Sequence, residues 1–133
     1  ESLKAHDIEY DPSLVVTGGF DEYQGQVAVS QLLSRNVGID AIFAGDDDTA
    51  IGVLIGLKDA GLSVPDDIAV VGFDDIRLAR YLTPPLTTVR APIELAGREA
   101  VRQLISLIQS GHADALTLLP TELVIRRSCG APE

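Results

Sequence analysis

Cysteine, histidine and basic side chains are scarce in this chain. The single cysteine, Cys129, excludes an internal disulfide and any zinc site built from several cysteines. No histidine lies near it in the chain, so an inert or surface thiol is expected. His6 and His112 fall at expected helix ends or loops and are assigned no chemistry. Ten Lys and Arg stand against twenty Asp and Glu, a formal net charge of -10 at pH 7. A surface of that sign repels phosphates, which argues against direct nucleic-acid binding by this segment and against an anionic membrane surface. No apolar run reaches the roughly 18 residues of a membrane-spanning helix. The chain also lacks a Gly-x-Ser-x-Gly elbow, a Walker loop and a Gly-x-Gly-x-x-Gly turn. Nothing pairs an evident nucleophile with a base, so binding is favoured over catalysis.

What is present suits a globular α/β unit. The 133 residues are 46% hydrophobic, and a chain of this size can bury roughly two thirds of its unfolded surface. The chain starts at Glu1 and not at methionine, and a preceding segment is expected. Residues 1–6 read as the end of a helix. Leu14 to Thr17 reads as a short strand closed by Gly18-Gly19. A helix follows from about Glu22 to Arg35, with Val29, Leu32 and Leu33 inward. Ile39 to Ala44 is the next strand, Thr49 to Ala60 the next helix, and Ile68 to Gly72 a strand apolar enough to be buried on both faces. Ile76 to Leu82 reads as a short helix or irregular turn, and Leu86 to Val89 as a strand. Ile93 to Gln109 carries a helical stripe of Gly97, Val101, Leu104, Ile105 and Ile108. Two β-prone runs, 116–119 and 123–125, complete the chain.

Strand, helix and strand between residues 39 and 72 form a βαβ unit. Its strands run the same way, so Asp46 and Asp74 leave the sheet at one end. Open α/β sheets bind ligands in the crevice outside those carboxyl ends. The triple Asp46-Asp47-Asp48 lacks the alternating spacing of a calcium loop. Asp47 and Asp48 suit helix-start roles, whereas Asp46, nearest the strand, is a candidate ligand contact. Asp74 is a second candidate, and Asp75 suits a cap for the element that follows. Phe20, just past Gly18-Gly19, either stacks on a ligand ring or fills the core. A carboxylate-dependent glycosidase is the weakest reading, because it needs one carboxyl in an apolar pocket.

Three stretches carry a family resemblance: Ala41-Ile-Phe-Ala-Gly-Asp-Asp-Asp-Thr-Ala-Ile-Gly52, then Gly61-Leu-Ser-Val-Pro-Asp-Asp-Ile-Ala-Val-Val-Gly-Phe-Asp-Asp-Ile76, then Tyr81-Leu-Thr-Pro-Pro-Leu-Thr-Thr-Val-Arg90. They resemble the LacI/GalR family of bacterial transcription regulators. The tail Leu119-Pro-Thr-Glu-Leu-Val-Ile-Arg-Arg-Ser128 is similar to that family's last strand.

The resemblance implies the second half of an effector-binding domain with a type I periplasmic-binding-protein-like fold. That is an α/β, parallel-sheet, three-layer lobe, here incomplete. It places the second lobe at about 1–83, a crossing into the first lobe at about 84–115 and terminal strands at about 116–133. It implies a helix-turn-helix DNA-binding domain, absent from this chain, through which alone operator DNA is bound. The first strand of the second lobe, and the arginine often placed after it, are absent too. A sugar or other small metabolite would bind between two lobes and alter operator affinity. Phe20, Asp46 and Asp74 fall on the ligand-contact positions, with Asp46 where members usually carry Asn. An ionised carboxylate there accepts hydrogen bonds and cannot donate them, which suits hydroxyl-rich or cationic effectors. Ile51, Leu54 and Ile55 fall on the dimer-contact helix and Tyr81 near that interface, implying a homodimer or higher oligomer in the cytoplasm. No cofactor, metal ligand or catalytic residue is implied. A secreted sugar-binding protein of a transport system shares the fold and is the alternative.

Overall fold

The computed structural model describes residues 2–131. Helix α1 is Ser2–Ala5, and Pro12–Leu14 forms a single 3-10 turn capped by the Asp11 carboxylate. The core elements follow: α2 (Glu22–Ser34), β1 (Ala41–Phe43), α3 (Asp47–Asp59) and β2 (Ala69–Phe73). After a 3-10 turn at Arg77–Tyr81 come β3 (Thr87–Arg90), α4 (Ile93–Ser110) and β4 (Glu122–Val124). One sheet runs β1-β2-β3-β4, with β1, β2 and β3 parallel and β4 antiparallel at one edge.

Registered pairs share a face, so Ile42 lies beside Val70 and Gly72 beside Thr88. On that face Val70, Gly72 and Thr88 are buried, and α3 packs there with α2 beside it. Val29, Ala44, Ala50, Val53, Leu57, Ile68, Val70, Ala79 and Leu86 form the core. Full burial of a side chain such as Leu57 contributes about 1.5–3 kcal/mol. The two helices approach closely because Gly25 and Gly52 meet at the crossing: a Cβ on either would strike the other helix's backbone. Each helix begins on an aspartate that accepts a backbone N–H in its first turn, Asp21 from Gln24 and Asp46 from Thr49.

The tail closes the sheet from the other end. The Ser128 hydroxyl, fully buried, donates to the Val70 carbonyl at 2.6 Å and accepts from the Thr87 N–H at 2.8 Å. It joins the starts of β2 and β3 across a span of sequence that local pattern does not reach.

Four expectations are corrected. Residues 14–17 form no strand. Val15 is extended but unpaired, a cavity of about 480 Å³ separates Leu14–Val16 from β1, and the Arg35 guanidinium donates to the carbonyls of Ser13 and Val15. The run 116–119 is likewise unpaired, since only residues 122–124 reach β3. The stripe on α4 is real, but Val101, Leu104, Ile105 and Ile108 are all exposed, and no residue of that helix is buried. Finally, Asp75 caps nothing: the turn at Arg77–Tyr81 is preceded by Ile76, with no side-chain cap. The sheet has helices on one face only among the described residues, in keeping with an incomplete three-layer lobe. Among the described residues no helix is long and apolar enough to cross a membrane.

Candidate functional site

The carboxyl ends of β1 and β2 lie side by side, and the three candidate ligand contacts gather there. Phe20 is 76% exposed, and its ring edge lies 3.6 Å from where a Cβ on Gly45 would stand. An aromatic ring beside the β1–α3 loop and open to solvent leaves an apolar face uncovered by the chain. Asp46 follows Gly45. One of its oxygens accepts the Thr49 N–H at 2.7 Å, and the other has no partner among the described residues. The residue is therefore a cap with one oxygen still free to accept. Asp74 stands just past β2 with φ of 109°. Its N–H donates to the Val89 carbonyl at 2.8 Å, while its carboxylate has no hydrogen-bond partner among the described residues.

The three consecutive aspartates diverge. Asp46 caps α3, Asp48 points outward and Asp47 turns inward, where it is fully buried. Among the described residues no group of His, Cys, Asp or Glu side chains is placed to hold a metal ion. Asp47 accepts the Thr88 hydroxyl at 2.6 Å and the Ile76 N–H at 2.8 Å. It thus ties the start of α3 to β3 and to the turn after β2. A Cβ on Gly72 would overlap the Asp47 carboxylate, so glycine at that position makes room for it. Burial pushes the Asp47 carboxyl up; the two hydrogen bonds oppose this, and the Asp74 and Asp75 charges add to it. The exposed Asp48 is raised too, by desolvation first and then by Glu22, Asp46 and Asp74. The edge is strongly acidic and would repel an anionic ligand.

Asp75 is the exception among these carboxylates. Its side chain is 3% exposed and lies between two guanidiniums, Arg126 at 2.5 Å and Arg90 at 2.7 Å. Burial alone would raise its carboxyl, but the bonds and charges of Arg126 and Arg90 outweigh that and hold it below 3.8. A carboxyl lowered by folding stabilises the fold above its unfolded value, and that contribution is lost as pH falls through the folded value. Asp47 has the opposite sign: its ionised form costs stability at neutral pH, and protonation relieves the cost. Replacing Asp75 with Asn should therefore lower stability at neutral pH, with the gap to wild type closing as pH falls below 3.8. Urea unfolding across that range measures the gap. A gap independent of pH would show that the Asp75 charge does not act as described.

The dimer candidates do not form one patch of equal exposure. Leu54 packs against the core and Ile51 is half-buried, whereas Ile55 and Tyr81 are exposed. Sequence reading missed the inward turn of Asp47 and gave no role to Arg90 or Arg126. The only local hint was a cation directly after each β-prone run, a pattern that surface strands share.

Comparison with known proteins agrees with this architecture. Residues 1–129 match the periplasmic binding protein-like domain. The chain is 44% identical over 108 residues to the lactose operon repressor of Rhizobium radiobacter and covers 96% of that relative. The chain belongs to the LacI family of regulators, in its periplasmic-binding-protein-like domain. Within this family it is 40% identical over 129 residues to the transcriptional regulator CelR of Thermobifida fusca, spanning 38% of that protein's length. Among solved structures, the CelR–cellobiose complex superposes with a TM-score of 0.87 at 40% identity, covering 96% of this chain and 39% of that one. A sugar-binding LacI-family regulator from Escherichia coli, complexed with phosphate, gives 0.86 at 32% identity over 98% of this chain and 47% of the other. This LacI-family chain forms a mostly parallel α/β lobe, and the relatives named here are transcription regulators.

Proposed function

We propose that this LacI-family chain forms one wall of an effector site. The site binds a sugar or sugar-like metabolite and, in the whole protein, adjusts operator binding by a DNA-binding domain. One observation carries the reading: an exposed Phe20 ring beside Gly45, with one oxygen of Asp46 and the carboxylate of Asp74, neither hydrogen-bonded among the described residues, at the same sheet edge. A sugar offers the matching chemistry, an apolar ring face for Phe20 and hydroxyl donors for the carboxylates. The relative that holds cellobiose in its structure supports the same ligand class. A second lobe, outside this chain, would supply the opposite wall. Ile51, Ile55 and Tyr81, with Leu54 beneath them, would contribute to a contact between two copies in the cytoplasm. The regulators among its relatives favour this reading over a secreted transport protein.

Calorimetric titration of the full-length protein with a sugar panel headed by cellobiose tests the proposal. Replacing Asp74 with Ala removes an acceptor whose loss leaves a ligand hydroxyl unpaired, and affinity should fall by about tenfold or more. Unchanged affinity in that variant, or no binding across the panel, would overturn the assignment.

A further inference from the structure

We infer that Arg126 is a positioning residue of this site: through Asp75 it holds the backbone that presents the Asp74 carboxylate. The inference rests on the proposed role of Asp74 and extends it to a mostly buried residue of the C-terminal tail.

The turn after β2 is strained. Asp74 and Asp75 both have positive φ, 109° and 56°. Only glycine adopts that side of conformational space without steric cost, and two consecutive non-glycine residues there persist only where the surroundings dictate them. The surroundings here are complete. The N–H of Asp74 donates to the Val89 carbonyl, that of Asp75 to the Thr88 hydroxyl at 3.3 Å, and that of Ile76 to Asp47. Both oxygens of Asp75 are taken by Arg126 and Arg90. The Asp74 carboxylate alone is left over, which is what a ligand contact on a fixed turn requires.

The two guanidiniums are not equivalent. Arg90 is 46% exposed and divides its charge with Glu122 of β4, whose side chain is 68% exposed. Arg126 is 13% exposed and is itself pinned. Its Nη1 donates to the Leu86 carbonyl at 2.7 Å, and its backbone N–H donates to the Thr87 hydroxyl at 2.8 Å. A planar guanidinium fixed to Leu86, just before β3, at one nitrogen and to Asp75 at another ties the turn after β2 back to the β3 strand as a rigid strut. Lysine carries all its donors on one nitrogen of a flexible stem, so it does not reproduce the rigid fork that meets these two acceptors from separate nitrogens. Removing Arg126 would leave a buried carboxylate with only the solvent-side arginine, and a buried charge that loses its partner drives local rearrangement. The strained turn is the segment free to rearrange, and Asp74 moves with it.

Amide hydrogen exchange on the full-length protein, followed with and without cellobiose, tests this. In the Arg126→Gln variant the amides of Asp74, Asp75 and Ile76 should exchange about tenfold faster or more, while those inside α2 and α3 keep wild-type protection, as expected for local rather than global opening. Arg126→Lys keeps the charge, so it guards against a Gln variant that fails to fold, and it should loosen the same three amides. Where the wild type binds cellobiose, Arg126→Gln should weaken binding, and adding Asp74→Ala should weaken it no further than Asp74→Ala alone. Unchanged exchange in the turn, uniform loosening of all amides in both variants, or additive losses in the double variant would overturn the inference. A wild type that binds no sugar would remove the proposed ligand class, yet the exchange comparison would still decide whether Arg126 holds the turn.

Discussion

Replacing Asp47 with alanine is expected to lower the unfolding free energy by about 2–3 kcal/mol, read from urea denaturation of the full-length protein at neutral pH. Two effects oppose each other. The substitution removes a fully buried carboxylate whose ionised form is disfavoured by desolvation, and that relief is stabilising. It also strips the acceptor from the Ile76 N–H and the Thr88 hydroxyl. A buried donor left unpaired costs about 1–3 kcal/mol, and two of them, with the void left behind, outweigh the relief. Asparagine separates the terms. Its oxygen can accept from Ile76 while its amide donates to a rotated Thr88 hydroxyl, so Asp47→Asn should cost less than about 1 kcal/mol. Equal losses in the two variants would mean that the charge itself, and not the pair of hydrogen bonds, is what the fold depends on. Because Asp47 also fixes Ile76, the alanine variant should bind effector more weakly as well.

The second large effect is expected at the helix crossing. Changing Gly52 to alanine places a Cβ on the backbone carbonyl group of Glu22. Alanine is favoured over glycine inside a helix by about 1 kcal/mol, so an isolated helix would gain. Here the obstacle is main chain at the start of α2 and has no rotamer to change. Separating α2 from α3 opens the packing around Val29, Val53 and Leu57, all at most 2% exposed. Overpacking of this kind costs about 1–3 kcal/mol, and a backbone clash belongs at the upper end, leaving a net loss of about 2 kcal/mol. Thermal unfolding of the variant checks it. A rise in midpoint would show that the helices can part without penalty. The displacement also carries the start of α3, and with it Asp46 and Asp47, away from β2.

Much of the local structure was legible before any coordinates. Asp21 and Asp46 stand where helix starts need acceptors, although the apolar pattern alone puts the second start at Thr49. Asn36, Gly61 and Gly111, all with positive φ, stand where helices stop. The apolar run ending at Phe73 announced a strand, but one buried on both faces, whereas only Val70 and Gly72 on the helix side are buried and Ala69, Val71 and Phe73 are half-buried; the βαβ order put Asp46 and Asp74 at one end of the sheet. These signals reach only a few residues along the chain. The run 14–17 shows their limit: its composition suits a strand, but a strand needs a partner for its backbone hydrogen bonds, and across from it lies a cavity.

By itself, then, the sequence determined the α/β class, the element order from α2 to α4 and the sheet edge at which Asp46 and Asp74 emerge, because periodicity and chain direction are local properties, and its motifs carried the family resemblance. The tertiary structure decided which carboxylates are free. Asp47 turns inward because Thr88 of β3 and Ile76 present donors there, and Asp75 is claimed by Arg126, 51 residues away. Both pairings depend on how β2, β3 and the tail register in one sheet. A carboxylate's place at this edge is set by the donors that the register brings to it, and among the described residues those donors go to Asp47 and Asp75 and leave the Asp74 carboxylate without a hydrogen bond.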